Sequence, residues 1–209
     1  MPCMVRRWQA RVGMESHLRQ ALVQAHADVF PQGGQGLESA LYREHIEGRE
    51  FLGLALYVDE AALESPMRRQ LLETFAQLEA RYADRPTSAL RLTILSEYVS
   101  IGRPVVSGSA ALLRCTPASA PELGERVTAI ARQLVERLSP SRILTGFVDE
   151  DPGLFVFIED TEDNVDLARY LASTLHAEHM RDYGPLLIEA PRWYSLDPTW
   201  RYFRGRQQR

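Results

Sequence analysis

Residues 51–58 read FLGLALYV, and from Phe51 to Val58 no position carries a charge or a strongly polar group. In an extended chain successive side chains point to opposite faces, so a run that is apolar throughout needs cover on both sides. Upstream, Leu37 to Ile46 is another strand-like run, and the polar link Glu47, Gly48, Arg49 and Glu50 between the two suits a hairpin. Further back, Met4, Trp8, Ala10 and Val12 share one side of an extended segment and Arg7, Gln9 and Arg11 the other, which predicts a half-buried strand. Met14, Leu18, Ala21, Leu22, Ala25 and Val29 then recur at helical spacing until the Pro31–Gly36 cluster, PQGGQG, stops them. Downstream, Ser65 and Pro66 form a helix start, with Met67, Leu71, Phe75, Leu78 and Tyr82 as the apolar stripe behind it. Leu90, Leu92 and Ile94 alternate as a further strand. The order is βαββαβ.

After the Gly, Pro and Ser-rich stretch from Ser100 to Ser109 the same order begins again. Ala110–Thr116 reads as a strand, Ser119 with Glu122 as a capping box, and Leu123, Val127, Ile130, Leu134 and Leu138 as a buried helical stripe. Ile143–Val148 and Leu154–Ile158 flank the turn DEDPG. Asp163–Tyr183 is a helical stretch bent near Ser173 and Thr174, and Leu186–Tyr194 is the closing strand. Corresponding elements lie about 100 residues apart, the spacing of an internal repeat. The fold class expected is therefore α+β: two tandem ferredoxin-like βαββαβ repeats forming an intrachain dimeric α+β barrel. Residues 1–99 would be the first repeat, 100–109 the linker, 110–196 the second repeat and 197–209 an aromatic and arginine-rich tail. One helical layer per sheet leaves a second face to cover, and Phe51, Gly53, Ala55, Tyr57, Phe155 and Phe157 are assigned to it.

Composition sets further bounds. All 24 basic residues are arginine. Without a lysine amine, Schiff-base and pyridoxal phosphate chemistry, a Walker A site and a protein kinase are excluded. Cys3 and Cys115 have neither disulfide nor metal spacing. The N-terminal MPCMVRRWQARV carries arginines where a signal peptide needs an apolar run, and no stretch approaches a membrane span, so the expected location is cytoplasmic. QGGQG, Gln32–Gly36, follows a helix instead of opening one, and Ser107–Gly108–Ser109 does not match a nucleophile elbow. The tail WRYFRGRQQR has a composition that can stack on bases, but the formal charge of −4 argues against a nucleic acid partner.

The segment LARYLASTLHAEHMRDYGPLL and the strand ending RWYSLD resemble the end of an antibiotic biosynthesis monooxygenase domain, and the first half resembles that family in element order. The resemblance implies a small aromatic ligand, with either oxygenase activity on aromatic polyketides or haem degradation. It places His179, and less well His176, at the haem ligand of the haem-degrading members, and Tyr170 where those members carry tryptophan. Their first-strand asparagine has no counterpart in VRRWQARV or AALLRCT.

His176 and His179, three apart, would share a helix face, and neutral imidazole ligates haem iron or other metals, although no third metal ligand has suitable spacing. His45 is a third catalytic candidate because it shares a strand side with Leu41 and Arg43. His17 and His26 lie at the margins of the first helix's stripe and read as half-buried structural residues. The expected function is small-molecule binding of the monooxygenase type, with no cofactor required or with haem. The alternative is a non-catalytic binding or assembly protein on the same fold. Homodimerisation would have to use helix faces or the tail.

Overall fold

The computed structural model describes residues 2–29, 38–44, 49–57, 59–87, 89–100, 105–138, 140–161 and 167–203. Among these, eight strands and six helices follow the order β1(Pro2–Gln9), α1(Glu15–Val29), β2(Glu38–Glu44), β3(Glu50–Leu56), α2(Glu60–Leu63), α3(Pro66–Tyr82), β4(Ala89–Val99), β5(Ser107–Arg114), α4(Ala120–Leu138), β6(Arg142–Val148), β7(Asp151–Thr161), α5(Leu167–Leu171), α6(Thr174–Tyr183) and β8(Arg192–Phe203). Apart from the short α2, this is the tandem βαββαβ order, with the last helix of the second repeat in two pieces. The chain divides into two compact units: residues 1–91 with 197–209, and residues 92–196.

In the first unit β3 is the central strand, antiparallel to β1 on one side and β2 on the other. Trp8 lies opposite Phe51, Arg6 opposite Gly53 and Met4 opposite Ala55, all on the face that α1 and α3 cover. Leu18 and Leu22 of α1 and Leu71 and Phe75 of α3 close over Trp8, Phe51 and Tyr57. Ser65 caps α3 as its sequence requires, its Oγ accepting from the Arg68 N–H at 3.2 Å. Two expectations fail here. Phe51, Gly53, Ala55 and Tyr57 lie under the helices, and the opposite face carries Cys3, Val5, Leu54 and Leu56, which are buried as well. Val12 is 79% exposed because β1 has ended and Gly13, at φ +81°, turns the chain into α1.

In the second unit β7 pairs with β5 and with β6, β5 pairs with the Arg192–Leu196 part of β8, and Leu92–Val99 of β4 pairs with β6. Leu123, Val127, Ile130 and Leu134 of α4 pack on Ala111, Leu113, Ile143, Phe155 and Phe157. Phe155 and Phe157 therefore also lie under helices, contrary to their assignment. On the other face, Ala110, Leu144, Val156 and Ile158 are buried together with Arg142, whose Nη2 is 3.5 Å from Glu97 Oε1.

Two local expectations are also revised, and a third, the bend near Ser173 and Thr174, is met. The cap before α4 is made by Thr116, not Ser119: its Oγ1 accepts from the Ser119 N–H at 3.3 Å, and a 3-10 turn, Pro117–Ser119, leads into the helix. The closing strand starts at Arg192 because Gly184–Leu186 form another 3-10 turn, and its backbone runs on to Phe203 through residues read as tail. The helical stretch breaks where Ser173 Oγ accepts from the His176 N–H at 3.1 Å, which restarts the chain as α6.

Candidate functional site

α5 and α6 place three of the sequence candidates together. The Tyr170 hydroxyl and His179 Nδ1 share a hydrogen bond of 2.9 Å, and the Tyr170 ring centroid lies 5.1 Å from that of His176. Trp193 of β8 completes the group, 5.5 Å from both Tyr170 and His176. The break at Ser173 makes this arrangement: its hydroxyl both caps α6 and donates to the Tyr170 carbonyl at 2.6 Å, so α5 ends with Tyr170 turned toward the two histidines. His45 and the PQGGQG loop lie outside the described residues. His17 stacks on Tyr82 of the first unit, ring centroids 6.1 Å apart.

The residue that sequence reading missed is Glu159. It follows Phe155 and Phe157 in the alternation of β7, so it points with them under the helices and lines a cavity with Tyr170, Tyr183, Trp193, Phe157 and Leu113. That phase was the available signal: a carboxylate in step with two buried phenylalanines. Its Oε1 is shielded from solvent and has no hydrogen-bond partner, and burial, reinforced by neighbouring Asp160, pushes its pKa up to about 7. His179 is 2% exposed and its Nε2 is likewise buried without a partner. Burial lowers the pKa of His179, helped by His176, and lowers that of His176, so both imidazoles favour the neutral form. Burial raises the Tyr170 and Tyr183 phenols, the latter to about 12.

The cavity volume is about 20 Å³, near the roughly 10–15 Å³ that one water needs. A larger groove of about 670 Å³ lies elsewhere in the same unit, lined by Leu95, Gly124, Thr128, Arg132, Phe147 and Phe155 among others. His179 lines neither opening, and its ring presents no open face to a porphyrin. The residues present do not fit a haem ligated by this histidine, and no step is derived through one. Among the described residues, no group of three or more His, Cys, Asp or Glu side chains is placed to hold a metal ion.

The equivalent space in the first repeat is built differently. Glu79 of α3 accepts hydrogen bonds from Arg6 Nη1 at 3.0 Å, Trp8 Nε1 at 2.9 Å, Thr87 Oγ1 at 2.6 Å and the Thr87 N–H at 3.2 Å. His26 donates from Nδ1 to the Leu22 carbonyl at 2.7 Å, and burial holds its pKa down to about 4.

No family model and no curated protein matches the chain. Solved structures do. A "putative monooxygenase" from Fusobacterium nucleatum superposes with a TM-score of 0.83 at 10% identity, over 98% of this chain and 95% of that one. An anthrone oxidase-like protein gives 0.68 at 9% identity, over 99% and 94%. A ferredoxin-fold protein of Listeria monocytogenes related to antibiotic biosynthesis monooxygenases gives 0.51 at 10%, over 92% and 94%. At these identities the likeness establishes the fold alone, a ferredoxin-like one. Among the described residues no helix is long and apolar enough to cross a membrane.

Proposed function

We propose that the second repeat binds a small aromatic molecule and oxygenates it without a bound cofactor, with Glu159 as general base and the Tyr170–His179 pair as hydrogen-bonding partner. The observation that carries this reading is Glu159: a shielded carboxyl with an unpartnered oxygen and a pKa of about 7, in a cavity walled by Tyr170, Trp193 and Phe157. A carboxyl poised there can take up and return a proton at neutral pH. Removing a proton from a methylene between aromatic rings leaves a carbanion, and dissolved oxygen is the oxidant that accepts its electrons. The resulting hydroperoxide loses its second C–H proton, the O–O bond breaks and water leaves, so R₂CH₂ and O₂ become R₂C=O and H₂O. Anthrone has such a methylene, and an anthrone oxidase-like protein shares the fold. Because the cavity holds little more than one water, a substrate ring requires the Trp193 or Tyr170 side chain to move aside.

The test is oxygen uptake with anthrone. Glu159→Gln should lower the rate by about 100-fold or more, the usual worth of a general base, and Tyr170→Phe should lower it less. Full uptake by Glu159→Gln, or none by the parent protein, would exclude this reading.

The groove supports the second reading, a binding protein that performs no chemistry. Its volume of about 670 Å³ falls within the roughly 300–1,000 Å³ of ordinary ligand sites. Under that reading the parent protein binds aromatic ligands without consuming oxygen, and Thr128→Trp, which fills the groove, abolishes the binding.

A further inference from the structure

The first repeat holds a cavity of its own, half-open and about 40 Å³ in volume, between the helix-covered face of the sheet and α3. Met4, Trp8, Leu71 and Phe75 supply apolar and aromatic walls, and Arg6, Arg68, Tyr57 and His26 supply the polar ones. Two guanidinium groups therefore reach one small space. Arg6 is balanced by Glu79, whose oxygens already accept from four donors. Arg68 has no carboxylate partner among the described residues: it donates from Nη1 to the Leu63 carbonyl at 2.8 Å, and its charge acts on the Tyr57 hydroxyl, which lines the same cavity. Burial raises the Tyr57 pKa, so the phenol keeps its O–H proton and can donate it. His26 is neutral above about pH 4 and adds no charge. The cavity walls thus carry one positive charge in excess, together with a phenol that can serve as a donor.

We infer that this cavity is a receptor for a small carboxylate, its head group held between Arg68 and the Tyr57 hydroxyl and its body against Trp8 and Phe75. One excess positive charge matches a monoanion better than a phosphate dianion. The volume also matches: at roughly 10–15 Å³ per water, the space takes about three waters, the size of a planar carboxylate group. Guanidinium recognises that plane through two parallel N–H donors. The aromatic walls favour a flat body on the carboxylate. This site is independent of the oxygenase reading, which concerns the other repeat.

Benzoate is the probe, titrated into the full chain by calorimetry and by ¹H–¹⁵N spectra of the tryptophan indole N–H groups. Benzoate should bind saturably and shift the Trp8 indole resonance, because Trp8 lines the cavity. Benzyl alcohol, which has the ring without the charge, should bind at least about tenfold more weakly, and Arg68→Gln should lose about the same factor, the usual effect of deleting one charged hydrogen bond. Tyr57→Phe should lose less and retain its fold, so it gives a second reading should Arg68→Gln unfold. An unmoved Trp8 resonance at saturating benzoate would overturn the inference. So would equal affinity for benzyl alcohol, or undiminished benzoate binding in both variants.

Discussion

The two repeats place the same sheet face under their helices and use it in opposite ways. The isolated bridges Ala10–Ala83 and Cys115–Leu187 fix the correspondence, so Trp8 matches Leu113, Arg6 matches Ala111, Gly53 matches Phe157 and Ala55 matches Glu159. In the first repeat the bulk stands on the first strand, and Gly53 makes room for it: a Cβ there would meet the Trp8 ring at 2.6 Å. In the second repeat the bulk is on Phe155 and Phe157, and Ala111 is the small partner. Volume is conserved by exchange across the strand pair, as close packing demands. The polar groups are not conserved. Glu79, Arg6, Trp8 and Thr87 satisfy one another, whereas Glu159 and His179 each keep a buried atom without a partner. Buried unsatisfied groups are costly and need a reason. The first repeat surrounds its buried carboxylate with four donors, and the second leaves an oxygen of its own without one.

The most severe way to break this contrast is Glu79→Ala, which strands Arg6, the Trp8 indole and Thr87 at once. Stability measured by urea unfolding should fall by about 3–5 kcal/mol, the cost of leaving a buried charge unpaired, whereas Glu159→Gln should leave stability at neutral pH unharmed.

Acid and base sharpen the contrast further. His26 is held at about 4, below its ordinary 6.5, so the parent protein should lose up to roughly 3 kcal/mol relative to His26→Leu as pH falls from about 6.5 to 4. Glu159 is shifted the other way. Its unfolded carboxyl releases its proton near 4.5 and the folded one near 7, so the parent should lose stability relative to Glu159→Gln as pH rises across that window and remain level above it. Unfolding midpoints of both pairs across pH 4–8 check the two signs.

Gly53→Ala should cost about 1–3 kcal/mol because the rigid Trp8 ring has to shift. At the matching position the second repeat already carries the Phe157 side chain, so it has no equivalent gap to overfill. The smallest effect belongs to Tyr170→Phe, about 1 kcal/mol for one hydrogen bond, with a changed His179 ring signal by NMR as its local mark.

Much of the architecture could be read from the chain because it rests on local signals: the Ser65–Pro66 start, the α1 and α4 stripes and the adjacent β2 and β3 runs are periodicity and caps. Which sheet face a helix covers is not local. Phe51 to Leu56 is apolar in both phases, so alternation could not say that Phe51, Gly53 and Ala55 are the covered set. The site was half legible. Tyr170, His176 and His179 stood out as residue types on one helical stretch, and the structure brings them together. Glu159 and Glu79 did not, because a single carboxylate gains meaning only from the strand or helix packed over it.

The boundary between the compact units falls inside β4, between Arg91 and Leu92, and not in the glycine and serine-rich stretch that follows. Leu92–Val99, numbered with the first repeat, form the ladder along β6. A gene split at residue 100 would yield a second fragment with the β6 edge bare, an open template for sticking to its own kind. A chain divided before Leu92 would keep that edge cover with the β6 ladder it completes.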